Sequence, residues 1–138
     1  MIVVDTNIIV YVVVQLPQTL LAQQVAVRDP DWVVPPLWRY EFASAVTTMV
    51  RAGALTAAQA ESAIAAADLL IAGREAPVDQ IAAFCVAIAL NLSAYDATYV
   101  ALAERLGVRC VTADTRVIRN APRIAISLDD FVHGSTTP

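Results

Sequence analysis

Apolar residues fall into two kinds of run along this chain. Short stretches rich in β-branched residues at 2–5 (IVVD), 32–34 (WVV), 109–112 (RCVT) and 124–127 (IAIS) predict buried strands, with a further short strand at 75–78. Longer segments between them carry apolar residues at three- and four-residue spacing and predict helices at 6–14, 18–28, 37–52, about 57–72, 79–91 and 93–106, with a helical turn at 115–119. The punctuation agrees: Pro17 breaks the first pair, Pro35-Pro36 opens the third, Gly53 and Gly107 close helices, and Thr56 with Gln59 spells a capping box. Strands alternating with helices define an α/β fold, helix-rich, with a mainly parallel central sheet flanked by helices. Residues 1–132 read as one domain and 133–138 as a flexible tail.

This order places four acids. In open parallel sheets, ligands bind beyond the carboxyl ends of the strands. Asp5 ends the first strand, and Asp114 lies just past the strand at 109–112. Glu41 sits near the start of the helix leaving the second strand. Asp96 begins a helix of about 16 Å to Leu106. The chain then returns over roughly 20 Å from Val108 to Asp114. The two lengths nearly match, so Asp96 and Asp114 are expected at similar height, and all four acids on one edge. Glu41 also borders the apolar stripe Trp38, Phe42, Ala45, Met49, and Asp96 extends the stripe Tyr99, Leu102, Ala103, Leu106 by one turn. A carboxylate facing a core must be paired, protonated or metal-bound. Each acid has a plainer role open to it: Asp5, Asp114 and Asp96 can cap helices, and Glu41 can pair with an Arg. The other acids read as solvated.

The chain has 13 acids against 9 basic residues, all Arg, for a net charge of −4. Such a balance argues against a general nucleic-acid binder, unless two divalent cations at the acids bring the sum to about zero. The lack of Lys, of GxGxxG and of GxxxxGK[ST] excludes P-loop, dinucleotide-binding, receiver and haloacid-dehalogenase-type chemistry. His133, the one histidine, falls in the predicted tail and is no catalytic base. Cys85 and Cys110 form no zinc or CxxC pattern and read as reduced core residues. Mean hydropathy is +0.60, but the apolar run at 8–14 is far short of the about 20 residues that cross a bilayer. With no export signal at the N-terminus, a cytoplasmic location is expected.

Carboxylates without His or Cys suit Mg²⁺ or Mn²⁺, and two such ions about 3.5–4 Å apart serve in-line phosphoryl displacement without a side-chain base. Thr6, Asn7, Thr112 and Thr115 stand beside the acids as candidates to orient waters or phosphate oxygens. Arg39, Arg116 and Arg119 are candidate phosphate contacts.

Four blocks carry a resemblance: Val4-Asp5-Thr6-Asn7, Pro36-Leu-Trp-Arg-Tyr-Glu41, Ala94-Tyr-Asp96-Ala-Thr-Tyr-Val-Ala-Leu-Ala-Glu104, and Val111-Thr-Ala-Asp114. In order and spacing they resemble the PIN-domain nucleases, and within them the VapC-type toxins of toxin–antitoxin pairs, over about residues 1–132. The resemblance implies a PIN-like fold and a Mg²⁺- or Mn²⁺-dependent endoribonuclease acting on RNA. It carries Asp5, Glu41, Asp96 and Asp114 over as the catalytic, metal-binding set. It also implies a homodimer and a cognate VapB-type antitoxin. The stretch 106–120 offers no further acid beside Asp114, which leaves the metal count open. The alternative is a non-catalytic interaction module whose acids serve as caps or as a docking site for a partner's Arg. The apolar segments 8–14 and 54–72 exceed what one small core buries, so a self-association face and a groove for an antitoxin helix are expected there.

Overall fold

The computed structural model describes residues 1–134. The elements run β1 Ile2–Val4, α1 Thr6–Val13, α2 Thr19–Arg28, β2 Trp32–Val33, α3 Trp38–Arg51, α4 Ala57–Ile71, α5 Gln80–Leu90, α6 Ala94–Leu106, β3 Cys110–Val111, α7 Thr115–Asn120, β4 Ala125–Ile126 and α8 Leu128–His133. The four strands form one parallel sheet in the order β2-β1-β3-β4. β1 lies between two partners and has helices over both faces. That is why Val3 and Val4 are fully buried and why the strand reads as a continuous apolar run.

The helices start where their side chains can satisfy free backbone N–H groups. Thr56 and Gln59 form the expected reciprocal box at α4, Asp79 caps α5, and Ser93 accepts from the Asp96 N–H at α6. Asn91 and Gly107, both left-handed, end α5 and α6. The main core packs α1, α2, α3 and α4 around β1 and β2, with Trp38 and Phe42 edge to face at 6.0 Å. On the other side of the sheet, Tyr99, Leu102 and Ala103 of α6 are buried against Val3 and Cys110. Among the described residues no single helix is long and apolar enough to cross a membrane.

Three sequence expectations are corrected. The segment 75–78 makes one bridge, Glu75 with Val34, and no strand. The next bond of this parallel ladder would run from the N–H of residue 36 to Ala76 O, and Pro36 has no N–H. α8 was not expected, and it runs to His133, into the predicted tail; residues 135–138 lie outside the described residues. Cys110 is buried as expected, but Cys85 is exposed on α5.

Candidate active site

Asp5 and Asp114 follow strands and Glu41 and Asp96 begin helices, so all four acids lie toward the carboxyl edge of the sheet. The Asp5 N–H donates to Val111 O at 3.0 Å, which fixes Asp5 beside the end of β3. Its side chain is buried and held from three sides: Thr6 N–H donates to Oδ1 at 2.7 Å, and the Thr112 hydroxyl (2.7 Å) and Asn7 Nδ2 (3.2 Å) donate to Oδ2. Asn7 is itself fixed, since its Oδ1 accepts from Ala113 N–H at 3.2 Å. Thr112 Oγ1 accepts from Asp114 N–H at 3.0 Å. The loop after β3 and the start of α1 are thereby stitched together around Asp5.

Glu41 enters from the first turn of α3 and Asp96 from the first turn of α6, both half-buried. Asp114 caps α7 with Oδ1, accepting from Arg116 and Val117 N–H groups at 2.8 and 3.2 Å. Asp5 and Asp114 therefore both cap helices and join the cluster, so the plainer role and the site role coincide.

The acids feel one another's charge. Burial pushes Asp5 up to about 7; the Thr112 hydroxyl opposes this, and the charges of Glu41 and Asp96 add to it. Burial also raises Glu41, opposed by the Tyr99 hydroxyl and reinforced by Asp96. Burial raises Asp96, offset in part by Ser93 and reinforced by Asp114, while Arg116 pulls it down. None of the four acids is in an ion pair among the described residues.

The supporting residues divide. Thr6, Asn7 and Thr112 are in the hydrogen-bond network, whereas Thr115 is exposed and outside it. Arg116 and Arg119 lie on α7 beside Asp114. Arg39 is committed elsewhere: it pairs with Asp68 and Glu75, each at 2.7 Å, and stacks over Trp38. That corrects its reading as a phosphate contact, and the reading of Asp68 and Glu75 as merely solvated acids.

Sequence reasoning missed Tyr99, which it placed in the apolar stripe. Its ring is buried, and its hydroxyl donates to Glu41 Oε1 at 2.6 Å and lies 2.5 Å from Thr6 Oγ1. Burial and the adjoining carboxylates hold that hydroxyl well above the ordinary tyrosine range, so it stays a donor. The available signal was its place one turn after Asp96, on the same face. Tyr99→Phe keeps the ring and removes the donor, so it should cost about 1.5–3 kcal/mol, the range for a hydrogen bond to a charged group. Urea denaturation at pH 8 checks this; an unchanged midpoint would mean the bond contributes nothing to the fold.

The donor set is carboxylate and hydroxyl oxygen, with no thiolate or imidazole, and it is uncompensated negative charge. By chemistry it fits a hard divalent cation. Among the described residues no three such side chains stand close enough to hold one ion as they are oriented. Asp5 is fixed by its hydrogen bonds, while Glu41, Asp96 and Asp114 are half-buried and in no ion pair among the described residues.

The frame is thus an α/β domain with a parallel sheet and four acids at its carboxyl edge. The PIN domain profile matches residues 2–123, and the chain belongs to that family. Comparison with curated proteins finds no match.

Proposed function

We propose that this PIN domain is a metal-dependent endoribonuclease of the VapC toxin type, using Mg²⁺ or Mn²⁺. The observation that carries the reading is membership of the PIN domain family, supported by four acids toward the carboxyl edge of the sheet that form no ion pair among the described residues. Asp5, Glu41, Asp96 and Asp114 would hold the cation. When bound, it supplies charge stabilisation for an in-line phosphoryl displacement and makes water a stronger acid. The chain's own part is orientation. Asp5 is locked by Thr6, Asn7 and Thr112, and Tyr99 occupies Glu41 Oε1, which leaves Oε2 free to turn toward the cluster.

Two surfaces support the partners that the toxin reading entails. A cavity of about 550 Å³ opens between α1 and α4, walled by Val13, Leu55, Ala58 and Ala66, and suits the apolar face of an antitoxin helix. The segment 8–14, expected to leave apolar surface uncovered, has Ile8, Ile9, Val10 and Val14 in the core, whereas α5 exposes Ile81, Phe84 and Ile88 along one stripe, which suits self-association into a homodimer. A cytoplasmic setting belongs to the same reading. The non-catalytic alternative is tested by the same experiment as the activity. Purified chain should cut mixed RNA in Mg²⁺ or Mn²⁺, fall silent in EDTA and recover when either ion is restored. Ca²⁺ should restore little, because its looser coordination supports in-line displacement poorly. Full activity in excess EDTA would rule out the mechanism, and no cleavage in any metal would favour the interaction module.

A further inference from the structure

The charge of this chain is unevenly placed. Residues 105–123 hold five Arg and one Asp, net +4, while the rest of the chain holds four Arg and twelve acids, net −8, which together give −4. Among the described residues none of Arg105, Arg109, Arg116, Arg119 and Arg123 forms an ion pair, and all five are exposed. Their polar contacts are light. Arg116 donates to Asn91 O at 3.2 Å, Arg119 to Asn120 Oδ1 at 3.4 Å and Arg109 to Ala125 O at 2.9 Å. A guanidinium has five N–H donors, so each keeps most of its fork for a ligand.

Four of them follow a path. α7 starts beside Asp114, at the carboxyl edge of the sheet, and the chain returns to the opposite edge to enter β4. Arg116 and Arg119 share one face of α7, three residues apart. Asn120, at its end, is tied to α5 through Leu90 O and Asn91 O. Arg123 follows, and together with Arg109 it lines a cavity of about 1050 Å³ at the amino ends of the strands, whose walls include Val86, Leu90, Val108 and Ile124. Among the described residues, Glu104 is the one acid lining that cavity.

We infer that Arg116, Arg119, Arg123 and Arg109 form a phosphate-binding tract that leads single-stranded RNA from the four acids to the cavity at the opposite edge of the sheet. The inference rests on the ribonuclease reading and adds the route of the strand. Bidentate guanidinium forks suit phosphate oxygens. An apolar recess flanked by two Arg takes an unstacked base, which single strands present and duplexes do not. The rest of the chain carries net −8, so without metal the salt dependence of RNA binding should come chiefly from this strip.

The test measures binding of a labelled single-stranded RNA, long enough to span both edges, to the Asp96→Asn chain over a range of salt. Each phosphate contact on a single strand contributes about 0.7 to the slope of log affinity against log salt, so four contacts give a slope of about −3. Arg109→Gln with Arg123→Gln should reduce its magnitude by about 1.4, and Glu104→Gln should tighten binding. Equal melting temperatures would show that the exposed substitutions leave the fold intact. An unchanged slope in the double variant overturns the tract, as does an acidic peptide that displaces RNA and outbinds it, since the strip would then serve a protein partner. If the wild-type chain cuts RNA in Mg²⁺ while the slope is unchanged, the route alone is wrong. If it cuts no RNA in any metal, the ribonuclease reading fails first.

Discussion

Asp96→Asn is expected to abolish RNA cleavage while leaving the metal-free protein as stable as the wild type or more so. Asp96 is the hub of the cluster: its charge raises both Asp5 and Glu41, and Asp114 raises it in turn. An amide there removes one charge from the set that would hold the cation. If that forfeits about 4 kcal/mol of charge stabilisation in the transition state, within the several kcal/mol a bound metal supplies, the rate falls roughly a thousandfold. The same change relieves repulsion between Asp96 and its three neighbours. Against that stands the loss of a carboxylate from the first turn of α6, worth about 0.3–1 kcal/mol with the helix dipole. The Ser93 cap survives, because it uses the Asp96 backbone N–H. Cleavage of RNA in Mg²⁺ followed on a gel, with thermal melting in EDTA, checks both halves. Wild-type cleavage by Asp96→Asn would show that the site is misassigned.

Most of the fold is legible in the order of apolar runs. Four strand segments and six helices fall within a few residues of their expected places, because run length and flanking Pro, Gly and capping residues are local signals. What was lost depended on weak or non-local signals. α8 is short and polar on one side, with two acids in its first turn, so its periodicity does not stand out; Ser127, which accepts from the Asp130 N–H, was its clearest mark. Cys85 is apolar in context, but α5 buries Ala83 and Ala87, half-buries Val86 and Leu90, and leaves Ile81, Phe84 and Ile88 outside. Large side chains outside and alanines inside invert the usual inference from hydropathy.

The candidate site was legible for a topological reason. Asp5 and Asp114 follow strands, Glu41 and Asp96 start helices, and in a parallel sheet both positions fall at the carboxyl edge. The fine structure of the site was not legible, since it lies in contacts between distant residues. Tyr99 meets Glu41 across 58 positions, and Thr112 meets Asp5 across 107. Arg39 looked available because its partners Asp68 and Glu75 lie 29 and 36 positions away. Pairing of exposed charges at such separations follows from the fold and leaves no pattern in the sequence.

Without divalent metal, the protein should lose stability relative to Asp5→Asn as pH rises from about 4 to about 7. Burial is the main reason that Asp5 holds its proton up to about 7, from a reference value of 3.8. Below the unfolded pKa the group is protonated in both states and the fold carries no penalty from it. Between the two pKa values the folded state binds the extra proton, so stability falls with each step upward, and above about 7 the full penalty is present. About three units at 1.36 kcal/mol each amount to about 4 kcal/mol. Glu41 and Asp96, also raised by burial, titrate in the same experiment, so the informative quantity is the difference between wild type and Asp5→Asn. The amide can still accept from Thr6 N–H, but its NH2 then faces the Asn7 amide and Thr112 hydroxyl that donate to Asp5 Oδ2, so the variant carries a hydrogen-bond loss that does not vary with pH and shifts the whole difference curve without changing its slope. Urea unfolding in EDTA across this pH range should show Asp5→Asn gaining on the wild type as pH rises. Saturating Mn²⁺ should erase that gain, because a cation favours the ionised carboxylate that burial disfavours. A difference that stays flat with pH would mean that Asp5 ionises in the fold at no cost, and that the cluster is better hydrated than its burial indicates.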